Sequence, residues 1–431
     1  MKEQIAVSVI VPIYNSEKYL LRAMHAVMGQ SFKNIEIICV DDASTDNSLA
    51  LLQELQKDDN RIKLIHHDVN KGAAVSRNDG LELARGEYVI FLDSDDYFYE
   101  SMLEETYEKA VTYDADVVMF GSEQVMVFED GVSKDPKVTA RVQYEHSVID
   151  NVKEKRNLLC KVRHVPWDKL VKKSFLDAHQ IRFPELLANE DVFYSYATVL
   201  LAERIVTCDK IYVKYYCGRV GSLTDFCAKK ENYMIEAYRA LWLFAKENKI
   251  EETLIIALFN GLLDSLQQYF SNQDNLLQIR ENTLQKLKYY SDFLEDLKEY
   301  ADKERFYPHN NVFIQKICRD ENICAIAYEQ YLEDGVKNVL LPLIQQEKKV
   351  AVWGCGERGK QLLHLLEKCN LKIDYVIDGA KKQQGKVYDS YRIVSYEAVE
   401  DKVDVILITN MLFLDEIKAK AAGKQIIYVW Q

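Results

Sequence analysis

Four short apolar runs in the first ~125 residues each stop in polar residues, and helical patterns fill the gaps between them. Ile5–Pro12 (IAVSVIVP), Ile35–Val40 (IEIICV), Ile62–His66 and Tyr88–Leu92 (YVIFL) are short and rich in β-branched residues, as buried strands are. Asn15 and Ser16 open a helical pattern through Val27. Ser44 and Asp46 are cap candidates for a helix from Asn47 to about Leu55. Asn70-Lys71-Gly72 turns into a helix over Ala73–Ala84, which Gly86 stops. Strands alternating with helices predict a largely parallel α/β sheet. Such sheets bind ligands outside the carboxyl ends of their strands. Those ends carry Pro12-Ile13-Tyr14-Asn15, then Asp41-Asp42, then His67-Asp68 with Asn70, then Asp93-Ser94-Asp95-Asp96. One polar end is a turn; four in the same topological place point to a site.

The sharpest of these ends is FLDSDDYF, where an apolar strand runs into three carboxylates within four residues. Like charges this close repel unless a cation, donors or solvent share the load. Hard oxygen ligands of this kind can hold Mg²⁺ or Mn²⁺, and the metal can bridge a diphosphate. Asp41 or Asp42 can accept from a base or ribose, and Tyr14 can stack on a base. The competing explanation is a solvated turn with helix caps, which Asp also favours.

Composition narrows the classes. The chain has 431 residues, too many for one ordinary domain, and a net charge of -13, which argues against a phosphate-neutralising nucleic-acid surface. Its nine cysteines include no CxxC pair, which fits reduced thiols in a cytosol better than a disulfide framework or zinc site. The opening MKEQIAVSVIVPIYN is not expected to act as a signal peptide, and no apolar run reaches the ~20 residues a membrane span needs, so any membrane role is expected to be peripheral.

The motifs VSVIVPIYNSEKYL, IEIICVDDASTDNS and NKGAAVSRNDGLELARGEYVIFLDSDD, with Asn189-Glu190-Asp191 (NED) later, resemble family 2 of the glycosyltransferases, which have the GT-A fold. The resemblance is close from Val7 to about Gly121 and looser to about Thr224. It implies a nucleotide-binding α/β sheet followed by an acceptor-binding half, and sugar transfer from a nucleotide sugar with inversion. It implies that Pro12, Tyr14, Asn15 and Asp42 surround the base, with Asp42 reading the uracil ring N–H. Asn70, Arg77 and Ser94 would contact the nucleotide. Asp93-Ser94-Asp95 matches the DxD motif, with Asp95 the metal ligand and Asp93 nearer the ribose or a metal-bound water. Asp96 stands outside the motif, and a role as cap or supporting group fits it as well as a role in the site. Asp191 matches the catalytic base, and Glu190 would support it. Trp167, in VPWDKL, would line the acceptor pocket, although a core tryptophan fits equally. Arg219 and Ser222 would close over the diphosphate, where a solvated loop is the alternative.

Tyr113–Phe120 is expected as a strand and Val125–Tyr144 as a hairpin-like insertion. Past Asp225 strand signals fade and helical spacing dominates to about Asp334, as in YMIEAYRALWLFAKEN. Its aromatics suit helix packing or a protein interface. The last ~100 residues look like a separate α/β domain. Lys349–Trp353 is a strand, Gly354-Cys355-Gly356-Glu357-Arg358-Gly359 gives GxGxxG before a helix, and the next strand, Ile373–Ile377, ends at Asp378. Val403–Ile408 and Gln425–Val429 add strands.

The expected organisation is α/β: a GT-A domain over 1–225, a helical connector over 226–334, and a small Rossmann-like domain over 335–431. The expected activity is inverting, Mn²⁺- or Mg²⁺-dependent transfer of a hexosyl or N-acetylhexosaminyl group from a UDP-sugar to a saccharide or lipid-linked saccharide. The resemblance places this in bacterial surface polysaccharide synthesis, such as capsule or lipopolysaccharide. The protein would be cytoplasmic or peripheral at the inner membrane face, with self-association through the helical or C-terminal region. Two rival classes are an NAD-dependent sugar-nucleotide enzyme centred on GxGxxG and a nucleotide-sugar-binding scaffold without turnover.

Overall fold

The computed structural model describes residues 4–126, 137–159, 161–217, 233–271, 277–303, 305–306, 308–319, 337, 340–380, 383–388, 390–408 and 414–428. The chain divides into two compact units, Met1–Leu258 with Asn282–Leu287, and Phe259–Glu281 with Lys288–Gln431.

The first unit is built on a mixed sheet. Strands β1 (Val7–Ile13), β2 (Ile35–Asp41), β3 (Ile62–His66) and β4 (Tyr88–Phe91) lie in the order β3-β2-β1-β4, all parallel. Helices α1 (Glu17–Met28), α2 (Ser48–Asp58) and α3 (Ala73–Leu83) form the crossovers. Every residue of β2, and all of β1 except Pro12, is buried, as a parallel sheet covered on both faces requires. A Cβ at Gly80 would stand 2.5 Å from Ile10 Cγ2. That glycine lets α3 lie close on β1, which carries Arg77, one turn earlier, to the carboxyl ends of the strands.

Past β4 the sheet turns mixed. It adds β5 (Tyr97–Phe98), β6 (Val117–Met126), β7 (Lys137–Val142), β8 (Ser147–Ile149), β9 (Lys169–Lys172) and β10 (Ile205–Cys217), with helices α4 (Met102–Thr112), α5 (Val152–Leu159), α6 (Lys173–Ala178) and α7 (Glu190–Leu201). β9 runs antiparallel between β4 and β6, while β10 pairs parallel with β6 and antiparallel with β5. β7 returns antiparallel along β6, which gives the hairpin expected over 125–144; its connection, 127–136, lies outside the described residues. One apolar core, including Val9, Leu20, Ile37, Ile90, Val118, Trp167 and Val206, backs the unit.

The second unit carries a six-stranded sheet of β11 (Val350–Trp353), β12 (Tyr375–Ile377), β13 (Val387–Tyr388), β14 (Tyr391–Val394), β15 (Val405–Ile408) and β16 (Gln425–Tyr428). Its order is β13-β14-β12-β11-β15-β16, parallel except for the edge strand β13. Apart from β13, the order in chain sequence is 3-2-1-4-5, five of the six strands of a doubly wound sheet. Alternate strand residues feed two cores: Val350, Val352, Val405 and Leu407 on one face, Ala351, Ile406 and Ile408 on the other. In the glycine turn after β11, Gly354 has φ +100, and a Cβ at Gly359 would stand 2.0 Å from the Gly354 carbonyl oxygen, so both positions need glycine. The Asp378 carboxylate accepts the Cys355 N–H at 2.9 Å and the Ala380 N–H at 2.8 Å. The acid that a dinucleotide would need for its ribose is here bonded to the turn's own backbone.

Candidate active site

The polar ends of β1 to β4 meet at one edge of the first sheet. Asn15, left-handed at φ 48, accepts the Thr45 N–H on Oδ1 at 2.8 Å, and its own N–H donates to Ser44 Oγ at 3.0 Å. Asn15 thus joins the loops after β1 and β2, a bracing role that its place in the sequence did not reveal. Pro12 is half-buried, Tyr14 is 49% exposed and Asn70 is exposed, so the Tyr14 ring offers a face to a ligand.

Asp41 and Asp42 are both buried but bonded differently. The Asp42 carboxylate accepts the Lys71 N–H and the Gly72 N–H, each at 2.8 Å, and lies 2.7 Å from His67 Nδ1. His67 Nε2 continues to Asp79 Oδ2 at 2.9 Å. Asp42 therefore ties down the loop that starts α3, where Gly72 has φ +90. Asp41 Oδ2 accepts the Ser44 N–H at 3.3 Å and lies 2.8 Å from His66 Nδ1, while Asp41 Oδ1 is buried without a hydrogen-bond partner. A buried acceptor left unpaired costs about 1–3 kcal/mol, and at 0% exposure Asp41 is closed to solvent. The unpaired oxygen is on Asp41, not on the Asp42 that the motif resemblance selects.

Arg77 is the hub of the site. Its Nη2 donates to Asp93 Oδ1 at 3.0 Å and its Nη1 to Glu190 Oε1, and its guanidinium lies 5.2 Å from the Phe183 ring centroid. One buried cation thus joins Asp93 of DSD to Glu190 of NED across 97 residues of sequence. Burial works against its charge, but Asp93, Glu190 and Asp191 outweigh burial and hold the guanidinium protonated. Asn189 is left-handed at φ 63 at the start of α7, and its Oδ1 accepts the Tyr233 N–H at 3.2 Å. Asp191 follows in the first turn of α7. Burial first, then the Glu190 and Asp93 charges, push its carboxyl up to about 8, against the pull of Arg77 and a bond from the Val192 N–H. A carboxyl titrating near the working pH is suited to take a proton.

The acidic turn is compact enough for a cation. One carboxylate oxygen each from Asp93, Asp95 and Asp96 lies within 4.8 Å of the others. Asp93 and Asp95 are half-buried, whereas Asp96 is fully buried and accepts the Tyr216 N–H on Oδ1 at 2.9 Å. The donor set fits a hard divalent cation reached through Asp93 and Asp95, with Asp96 anchoring the turn from below. Ser94 is buried, its Oγ 2.7 Å from Ser16 Oγ on the loop before α1, a bond within the protein that braces the turn.

Of the two places expected for Trp167, it takes the core. It is 1% exposed, stacked on Tyr215 at 5.5 Å, with the Arg163 guanidinium 5.1 Å from its ring centroid. At that exposure it leaves a sugar ring no face to pack on. Arg219 and Ser222 lie outside the described residues. His67 stands among the polar strand ends without an assigned role. Sequence reasoning passed over its partner Asp79, with which it makes the second tie on the 67–72 loop, and Arg22, whose Nη2 donates to the Asp95 carbonyl. No spacing signal marks any of the three.

Residues 8–167 match the model of glycosyl transferase family 2, and residues 346–427 match a family described as C2185-like, N-terminal. The EpsH protein of Bacillus subtilis (strain 168), which carries a glycosyltransferase name, is 34% identical over 259 residues, 57% of this chain and 71% of that one. The poly(ribitol-phosphate) beta-glucosyltransferase of Bacillus spizizenii is 27% identical over 304 residues, and the match covers 69% of this chain but only 46% of that one. The crystal structure of S. aureus TarS 1-349 in complex with UDP superposes with a TM-score of 0.56 at 24% identity, covering 80% of this chain and 92% of that one. That likeness bears on the fold, and it agrees with a GT-A sheet.

Proposed function

The chain belongs to glycosyl transferase family 2, and from that premise we propose that it transfers a sugar from a UDP-sugar to a hydroxyl group with inversion, using Mn²⁺ or Mg²⁺. The observation that carries this is the Asp93–Arg77–Glu190 chain, which brings the acidic turn and the raised carboxyl of Asp191 into one site. A cation held by Asp95 and Asp93 would neutralise charge gathering on the departing diphosphate. Asp191 orients the acceptor hydroxyl and takes its proton as the oxygen bonds to the anomeric carbon; the bond from that carbon to the diphosphate breaks, and UDP leaves with the electron pair. Glu190 acts through Arg77, holding it against Asp93. The TarS complex with UDP supports the choice of nucleotide. The beta-glucosyltransferase relative, named for a polymer acceptor, supports surface polysaccharide synthesis with a saccharide or lipid-linked acceptor. Whether the group moved is hexosyl or N-acetylhexosaminyl is a question for a donor panel. Among the described residues no helix is long and apolar enough to cross a membrane, which is compatible with the proposed cytoplasmic or peripheral location. We assign the chemistry to 1–225, and treat 226–334 as connector and 335–431 as an accessory domain, with self-association through the helical or the C-terminal region.

The metal test is Asp95→Asn. A neutral amide in place of an anionic ligand should weaken Mn²⁺ binding in the presence of UDP by about tenfold or more. Titration of Mn²⁺ against UDP affinity in both proteins reads this, and unchanged coupling would remove Asp95 from the metal site.

The base test separates the two adjacent acids. Uracil offers a ring N–H where cytosine offers an acceptor, and Asp42 is the acid that the resemblance assigns to it. UDP should therefore outcompete CDP by about tenfold, from a buried-acceptor penalty of roughly 1–3 kcal/mol. Asp42→Ala should narrow that gap, and should weaken both nucleotides as the 67–72 loop loosens. Asp41→Ala should leave the discrimination in place, because Asp41 is 0% exposed. If Asp41→Ala alone removes the discrimination, the assignment to Asp42 fails.

A further inference from the structure

Each residue of the acidic turn is held by a different protein group. Asp93 is held through its carboxylate by Arg77, Ser94 through its hydroxyl by Ser16, and Asp96 through its carboxylate by the Tyr216 N–H. Asp95, the proposed metal ligand, is held through its main chain: Arg22 Nη2, reaching from α1, donates to its carbonyl oxygen. The same guanidinium lies 3.9 Å from the centroid of the Tyr216 ring and 5.8 Å from that of Tyr19. Tyr216 sits near the end of β10, which pairs with β5 directly after the turn through Val213–Phe98 and Lys214–Tyr97. Arg22 therefore closes a ring of contacts, from α1 to the Asp95 carbonyl, along the turn to Asp96, across to Tyr216, and back to its own guanidinium.

We propose that Arg22, stacked on Tyr216, is a positioning residue for the divalent cation: it fixes the Asp95 backbone so that the Asp95 carboxylate points into the acidic cluster. This rests on the reading that Asp95 and Asp93 hold the metal. An arginine suits the task because its planar fork donates in the ring plane while its face stacks on an aromatic. A lysine can supply the charge and a donor but not the planar face that stacks on the ring. Partners behind a metal ligand typically change affinity by about 10–100-fold when removed.

Mn²⁺ binding to the full-length protein, followed by electron paramagnetic resonance with UDP present, tests this without turnover. Arg22→Met and Tyr216→Leu should each weaken Mn²⁺ binding by about tenfold or more. Tyr216→Phe, which keeps the ring face, should bind as the parent does. Arg22→Lys should fall between, and it keeps the test open should Arg22→Met not fold. Transfer by the weakened variants should return as Mn²⁺ is raised, with kcat near the parent value, a signature that a merely structural defect lacks. Parent-like Mn²⁺ affinity in folded Arg22→Lys and Tyr216→Leu would overturn the role of Arg22 alone. Absence of UDP-coupled Mn²⁺ binding in the parent protein would overturn the metal reading, and this inference with it.

Discussion

Asp191→Asn should leave a folded protein that still binds UDP but transfers sugar about 10²-fold or more slowly, because an amide can hold the acceptor hydroxyl yet cannot take its proton. Single-turnover transfer beside UDP affinity reads the two effects separately. The carboxyl of Asp191 is pushed up to about 8 by burial and by Glu190 and Asp93, and only its ionised form is a base. In the parent protein kcat/KM should therefore climb as pH rises through that region; an ordinary carboxylate, titrating near 4, would give a flat profile there. A folded-state pKa above the unfolded one also means that ionising Asp191 costs stability at any pH above the unfolded value, about 4. The amide should hold or raise the melting temperature at neutral pH while activity falls. Near-normal turnover in the variant would move the base elsewhere, with Glu190 the first alternative.

Arg77→Met should be the most damaging single change to stability at the site. The guanidinium is 6% exposed and faces two carboxylates, Glu190 at 4% and Asp93 at 28% exposure. Removing one partner of a buried ion pair leaves the other charge uncompensated, at about 3–5 kcal/mol. Urea unfolding should show that loss, and UDP binding should fall with it as the acidic turn loses its tie to α7. Pairing Arg77→Met with Glu190→Gln should recover part of the stability, because the second change removes one stranded charge. Wild-type stability in Arg77→Met would mean that solvent or a cation already balances the carboxylates, and the bridge would lose its role.

The parallel half of the first sheet was open to reading because its strands are largely apolar, β-branched runs, interrupted only by Ser8, Glu36 and Lys63 and bounded by turn residues. β3 falls on Ile62–His66 as expected, and α3 ends at Leu83, one residue short of the expected Ala84. β6 runs on to Met126, past the expected Phe120, because pairing with β7 and β10 sustains it where its own pattern fades. β13 and β14 were missed; β13 is a two-residue edge strand, too short for period-two alternation to register. At the site, sequence could name the acids but not what they face. Asp41 and Asp42 are neighbours of one type, and only the fold shows that Asp42 is bonded by the 67–72 loop while one Asp41 oxygen is left over. Trp167 illustrates the reverse, since its motif fitted an acceptor pocket and a core position equally, and only the packing shows it buried at 1% exposure. Arg22 carries no motif, and its place follows from α1 meeting the acidic turn.

The central claim is sugar transfer from a UDP-sugar by a cation held at Asp93 and Asp95. Its most direct measurement is UDP release by the purified full-length protein across a panel of nucleotide sugars, with Mn²⁺ and with a chelator. The account predicts release from at least one UDP-sugar and from no CDP- or GDP-sugar at comparable rate, abolished by the chelator and restored by Mn²⁺. Release that persists undiminished in the chelator, or that prefers another nucleotide, would contradict it.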